Sequence, residues 1–246
     1  MLPTVEPVVL DRPIPGVATL RINRPEVRGA LDRASLRLLL DALAELESEP
    51  DLAAVVLSST DPTALCAGAD VNEVLDAEGG YARMSEFAEL YAALERCPAV
   101  TICAMVGNTV GAGAELAAAC DLRVAGDNLK LRWVGGLLGV PVGPARLAPL
   151  VGLSVARHLV LQSPVVTAEK ALEYGLTFDV VPADKAHDRA LEIAESLASR
   201  PVENLRKVKG MFREYEQTER RTLDENEALL HFQRHGSGLP SGGATR

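Results

Sequence analysis

Glu115 is the only charged residue before Asp121 in VGAGAELAAACD, the run from Val110 to Asp121. A helix of such short side chains packs closely on its neighbours. An ionised carboxylate held from water is costly there unless it is paired or its pKa moves. Glu115 is therefore paired, exposed at an end, or kept for proton transfer. As a first-turn glutamate it would also suit the positive end of its own helix, by ~0.3–1 kcal/mol. Two stretches share a strand, a turn of small residues and a helix start: LCAGAD (Leu65 to Asp70) and VGAGAE (Val110 to Glu115). Turns of Gly and Ala admit a ligand to backbone N–H groups, and a helix N-terminus favours negative charge. Two such turns facing one point form a two-donor oxyanion hole.

Positioning these groups requires a scaffold of strands and helices. In GVATLRINRP, Val17, Thr19 and Arg21 alternate with Ala18, Leu20 and Ile22, which predicts a strand ending at Pro25. Asp32 predicts the N-cap of a helix carrying Leu36, Leu39, Leu43 and Leu46 on one face. LAAVVLSS and PAVTICAMVG read as short buried strands, PTALCAGADVNEV as a loop leading into a helix, and GAGAELAAAC as a helix start. DLRVAGDNLKLRW reads as two short strands around Gly126, Asp127 and Asn128. From Ala145 onward helical patterns dominate, with Thr167 and Asp184 at expected N-caps. The chain divides into an α/β part over 1–195, a helical region over 196–236 and a tail over 237–246. GSGLPSGGATR in that tail, like MLPTVEP at the other end, is expected to be mobile.

The formal charge of -9 argues against nucleic acid as the main partner. Local cationic candidates are Arg24 with Arg28, and RKVKGMFR from Arg206 to Arg213, each also readable as solvated surface charge. The four cysteines form no CxxC pair and the four histidines have no ligand spacing, so no metal site or disulfide framework is expected. There is no leader pattern or membrane-length apolar run, so the expectation is a cytoplasmic protein without a membrane partner. GAGAEL lacks the third glycine of a dinucleotide fingerprint, and no phosphate-cradling P-loop sequence occurs.

In combination these motifs resemble the enoyl-CoA hydratase/isomerase (crotonase) superfamily. INRPEVRGALD is similar to its first CoA-contacting loop, LCAGAD to its first oxyanion turn, and VGAGAELAAACDLRVA to its second turn with the acid/base helix. LLGVPVGPARLAPLVG and TAEKALEYGLTFDVVP resemble the segments that follow, in the same order from about residue 8 to 200. The resemblance implies an α/β fold, a spiral of repeated ββα units with a C-terminal helical trimerisation region, assembled as a homotrimer or a dimer of trimers. It implies an acyl-CoA thioester as substrate and no cofactor beyond that coenzyme A. It places the oxyanion donors at Ala67 and Ala112, the latter where glycine is usual. It places CoA and substrate contacts at Arg24, Val27, Arg28, Ala30, Ala67, Ala69, Asp70 and Val71, with Trp133 as a candidate wall of the acyl pocket.

Glu115 falls on one of the two glutamates that hydratases of this family use. Gly135, in LRWVGGLLG, stands where the second is expected and cannot move a proton. The reading is therefore hydration of a 2-enoyl-CoA by Glu115 alone. The alternatives are other crotonase chemistry (hydratase-lyase, isomerase or hydrolase) and an acyl-CoA-binding member whose catalysis has lapsed. A scaffolding oligomer has only the charged C-terminal helices behind it.

Overall fold

Short apolar runs and the breakers between them fold into a ββα repeat. The computed structural model describes residues 6–242. Strands β1 (Val8–Ile14) and β2 (Val17–Ile22) form a hairpin, and a 3-10 turn at Pro25–Val27 leads to α1 (Arg33–Glu47). Next come β3 (Ala54–Ser59), β4 (Ala64–Cys66) and α2 (Ala77–Arg96), followed by β5 (Val100–Met105), β6 (Asn108–Val110) and α3 (Ala112–Ala119). A fourth turn has β7 (Leu122–Gly126), β8 (Lys130–Arg132), α4 (Gly135–Leu138) and α5 (Pro144–Gln162). The chain continues with α6 (Ala168–Glu173), β9 (Asp179–Val181), α7 (Ala186–Ala198), α8 (Val202–Tyr215) and α9 (Thr218–His235).

In the later repeats the two strands part company. The first joins a six-stranded sheet ordered β1-β2-β3-β5-β7-β9; the second joins a three-stranded sheet ordered β4-β6-β8. All neighbours are parallel except β1 with β2. Each repeat thus advances one position in both sheets, which is the spiral expected. β3 and β5 are buried along nearly their whole length, as continuous apolar strands covered on both faces must be. Leu36, Leu39, Leu43 and Leu46 of α1 are buried, and Asp32 accepts a hydrogen bond from the Ser35 N–H at 2.8 Å. Ala186, Ala190 and Ala194 seat α7 closely on β3, β5 and β7. Gly113 does the same for α3: a Cβ there would lie 2.3 Å from the Cys66 carbonyl oxygen. No helix of the described residues is long and apolar enough to cross a membrane.

Several expectations are corrected. LCAGAD is not followed by a helix; the chain loops from Ala67 to Asp76, and α2 begins only at Ala77, capped by Asp76. Thr167 caps α6, but Asp184 lies inside a 3-10 turn, so the first turn of α7 takes no side-chain cap from it. A boundary at 195 cuts α7, whose buried alanines belong to the core. In RKVKGMFR, Lys209 is buried and binds Asp121 Oδ2 at 2.6 Å, while Arg206 donates to the Glu49 carbonyl at 2.6 Å; both hold α8 to the core. The first part of the tail is tied down: Leu239 N–H donates to Gln233, Gly242 N–H donates to Glu73 O at 3.0 Å, and Arg83 donates to Pro240 O at 2.8 Å. The expectation for the extreme ends, 1–5 and 243–246, lies outside the described residues.

Candidate active site

The C-terminal ends of β4 and β6 lie side by side, so the turns that follow them meet. A Cβ on Gly68 would lie 3.4 Å from the Val110 carbonyl and 3.9 Å from the Ala112 nitrogen. Above them is a cavity of about 260 Å³, lined by both turns, by Glu115, and by apolar side chains including Met84, Phe87, Leu138, Val140 and Val142. From the C-terminal region come Leu229 of α9 and Leu239 and Pro240 of the tail. The charged α9 therefore folds back on its own chain, against α2 and α5, and walls the site.

Ala112 is the first residue of α3, and such a position has no intrahelical acceptor for its N–H. The positive φ of this turn, 56°, is carried by Gly111, so alanine at 112 costs the turn nothing. The other expected donor, Ala67, is corrected. Its N–H is spent on the Arg28 carbonyl at 3.0 Å. On either side of Ala69, Leu31 N–H donates to Gly68 O and Leu31 O accepts from Asp70 N–H, both at 2.8 Å. Since successive amides of an extended segment point to opposite edges, the Ala69 N–H is turned away from Leu31. Among the described residues neither the Ala69 nor the Ala112 N–H makes a hydrogen bond, and both residues line the cavity. Each of the two turns thus brings one unspent N–H group to the cavity lining, at Ala69 and at Ala112.

Glu115 sits one turn into α3 at 1% exposure. Its Oε2 accepts from Arg146 Nε at 2.8 Å, and its Oε1 is buried without a partner. A Cβ on Gly143 would stand 3.3 Å from that Oε1 and 3.3 Å from Trp133 Cδ1, so Gly143 keeps space open beside the carboxylate. Burial lifts the Glu115 carboxyl to about 7; Arg146 opposes the rise, and Glu225 adds to it. Of the readings raised by the sequence, pairing holds through Oε2 and exposure at a helix end does not.

The remaining expected site residues divide. Val71 is half exposed at the cavity rim. Arg24 is not a free cation: its guanidinium lies 3.0 Å from Asp32, 3.1 Å from Asp70, and donates to the Ala30 carbonyl. With buried Ala30 and Asp70 it ties the 24–31 loop to the first turn. Val27 lies outside the cavity lining, as does exposed Arg28, which has no ion pair among the described residues. Trp133 is also corrected: it is buried behind Gly143 and outside the cavity lining. Among the described residues, no group of three or more His, Cys, Asp or Glu side chains is placed to hold a metal ion.

Gly135 lines the cavity, but the space for a side chain there is taken by Val140 and Val142, which line it too. A Cβ on Gly135 would fall 2.9 Å from Val142 Cγ1 and 3.0 Å from the Val140 carbonyl. Gly135→Glu therefore does not rebuild a second carboxylate in the cavity. Its expected result is a loss of about 1–3 kcal/mol in denaturant unfolding, the usual cost of overpacking. An unchanged unfolding midpoint would show that the 140–142 segment yields freely.

Sequence reasoning missed Arg146, Glu225, Tyr91 and the tail contacts. Arg146 carried one signal, as the only charge in LLGVPVGPARLAPLVG. Glu225 carried none, standing among the many charges of α9.

Comparison with known proteins adds to this geometry. A family model described as enoyl-CoA hydratase/isomerase matches residues 14–237. The chain is 33% identical over 185 residues to the 2,3-dehydroadipyl-CoA hydratase of Escherichia coli, covering 74% of this chain and 72% of that protein. It is 30% identical over 188 residues to the short-chain-enoyl-CoA hydratase of Clostridium acetobutylicum, with coverage of 74% and 72%. It superposes on the crystal structure of an enoyl-CoA hydratase from Bacillus anthracis with a TM-score of 0.81 at 27% identity, over 96% of this chain and 100% of that one.

Proposed function

The chain belongs to the enoyl-CoA hydratase/isomerase family of the crotonase superfamily, and from that premise we propose that it hydrates a 2-enoyl-CoA to the 3-hydroxyacyl-CoA with Glu115 as the sole acid/base. The observation that carries the proposal is Glu115 itself, which lines a cavity bordered by two unspent N–H donors, with one carboxylate oxygen fixed by Arg146 and the other without a partner among the described residues.

In this mechanism the thioester oxygen accepts from the Ala69 and Ala112 N–H groups, which are aimed where negative charge develops. Glu115 Oε1 takes a proton from water as the water oxygen bonds to C3. The C2=C3 electron pair moves through the thioester carbon onto its oxygen. When that enolate collapses, Glu115 returns a proton to C2, so the net change is addition of one water. A carboxyl that titrates near 7 suits both halves, being basic enough to accept the proton and acidic enough to give it up. Among the described residues Tyr91 is the other titratable side chain at the cavity wall, and burial pushes its hydroxyl well above the ordinary range, away from a role as base.

The cavity supports a short, uncharged acyl group. Its volume is just below the ~300–1,000 Å³ usual for ligand pockets. Among the described residues no Lys, Arg or His lines it to receive a distal carboxylate, such as the name of the Escherichia coli relative implies for that protein. The test compares hydration of crotonyl-CoA, a C8 enoyl-CoA and a dicarboxylyl enoyl-CoA. The expected order of kcat/KM is crotonyl first and dicarboxylyl last; a preference for the dicarboxylyl ester would overturn the acyl assignment. A trimer or dimer of trimers is part of the same proposal, supported by the groove of Leu122, Leu205, Val208 and Phe212 and by Phe212 at 62% exposure.

A lapsed acyl-CoA binder is the second reading, favoured by the apolar filling of position 135. It predicts binding without turnover.

A further inference from the structure

Arg146 is completely buried and meets three carboxylates from three helices. Its Nε donates to Glu115 Oε2 of α3 at 2.8 Å, its Nη2 donates to Glu225 Oε1 of α9, and its Nη1 lies 3.7 Å from Glu95 Oε2 of α2. Its guanidinium carbon stands 4.7 Å from the centre of the Tyr91 ring. One cation among three carboxylates leaves an excess of negative charge that burial penalises, so a proton is held in the cluster. Where it resides follows from the hydrogen bonds. Glu225 has a second donor, the Ala145 N–H at 2.8 Å, and Glu95 has the Thr222 hydroxyl at 2.5 Å. Among the described residues Glu115 has only Arg146, and its Oε1 has no donor. Of the three, Glu115 is the carboxylate with least support for its charge.

We propose that Arg146 and Glu225 are positioning residues for the acid/base: Arg146 fixes Oε2 so that the proton is carried on the unpartnered Oε1, and Glu225 takes up part of the Arg146 charge so that Glu115 is not held as a fixed carboxylate. This rests on the reading of Glu115 as the acid/base, and it assigns a role to the C-terminal helix beyond walling the cavity. The charged and titratable groups facing Glu115 are Arg146 on α5, Glu225 on α9, and Tyr91 and Glu95 on α2. Arg221 of α9 acts at one remove, on Glu95.

The sign is fixed by the geometry. Removing the Glu225 charge leaves Arg146 to act more fully on Glu115, which holds its carboxylate more firmly and loses its proton at lower pH. The experiment follows the Glu115 carboxyl stretch by infrared difference spectroscopy across pH, with E115Q as the blank, in the wild-type protein, E225Q and E95Q. The glutamine of E225Q keeps an oxygen for the Ala145 N–H. The expected titration midpoint in E225Q falls by about one pH unit, and the acid limb of kcat/KM for crotonyl-CoA falls with it. E95Q moves the midpoint the same way by less, since Glu95 stands farther from the guanidinium. An unmoved or raised midpoint in folded E225Q overturns the proposal. If E225Q does not fold, an unmoved midpoint in E95Q overturns it. The infrared measurement needs no turnover, so a lowered midpoint in a protein that does not hydrate crotonyl-CoA would support the positioning roles while refuting the reaction.

Discussion

Glu115→Gln lowers kcat for crotonyl-CoA by a factor on the order of 10²–10⁴, the range that general acid/base groups supply, while the Kd for the acyl-CoA stays within a few-fold of wild type. Glutamine matches glutamate in shape and can still accept from Arg146 Nε through its amide oxygen. It cannot take a proton from water at Oε1 or return one to C2. The oxyanion donors at Ala69 and Ala112 are backbone groups and are untouched, which is why binding persists. Stopped-flow absorbance and equilibrium binding measure the two quantities separately. The variant also changes stability with pH in a defined sense. The folded carboxyl titrates near 7, above its ordinary value of 4.5, so the native state binds this proton more tightly than the unfolded chain. Wild-type stability from this group is greatest below about 4.5 and is lost as pH rises through 7, by up to about 3 kcal/mol. The glutamine variant lacks that part of the slope in unfolding experiments between these pH values.

Arg146→Met removes the cation shared by Glu95, Glu115 and Glu225 and leaves three carboxylates buried together. Breaking a buried pair from one side typically costs about 3–5 kcal/mol, because the remaining charge stays uncompensated. The expected result is a loss of that size in guanidinium unfolding at pH 8, shrinking toward pH 5 as Glu115 and Glu95, whose carboxyls burial raises, take up protons. Arg146→Lys keeps the charge but cannot fork to two carboxylates, so it recovers stability only in part. A methionine variant as stable as wild type at pH 8 would contradict a stabilising role for the Arg146 charge.

The repeat that carries the site was legible because each repeat announces itself locally. AVVLSS and VTICAM are apolar runs of strand length, the α1 leucines lie on one helical face, and Asp32 stands where a cap is needed. Glu115 was legible for the same reason: a carboxylate in an alanine helix conflicts with its surroundings, and such conflicts gather at functional sites. Contacts that depend on distant parts of the chain were not legible. That Ala69 rather than Ala67 offers its N–H is decided by the Arg28 carbonyl, which the first loop lays across the turn some forty residues later. Trp133 shows no sign in its own segment that Gly143 and Glu115 will stand in front of it. Glu225 meets Arg146 across 79 positions of sequence, and nothing in α9 separates it from the solvated charges around it. The tail reads as loose from its Gly, Ser and Pro content, yet Arg83, Gln233 and Glu73 provide bonding partners for its backbone at Leu239, Pro240 and Gly242.

The most direct test of a single-glutamate hydration is the fate of crotonyl-CoA incubated with the protein at pH 7 in isotope-labelled water and followed by mass spectrometry. The mechanism predicts 3-hydroxybutyryl-CoA with one solvent oxygen at C3 and one solvent hydrogen at C2, and in E115Q neither label above background. Crotonyl-CoA that is bound by the wild-type protein but recovered unchanged, with no label at either carbon, would contradict it.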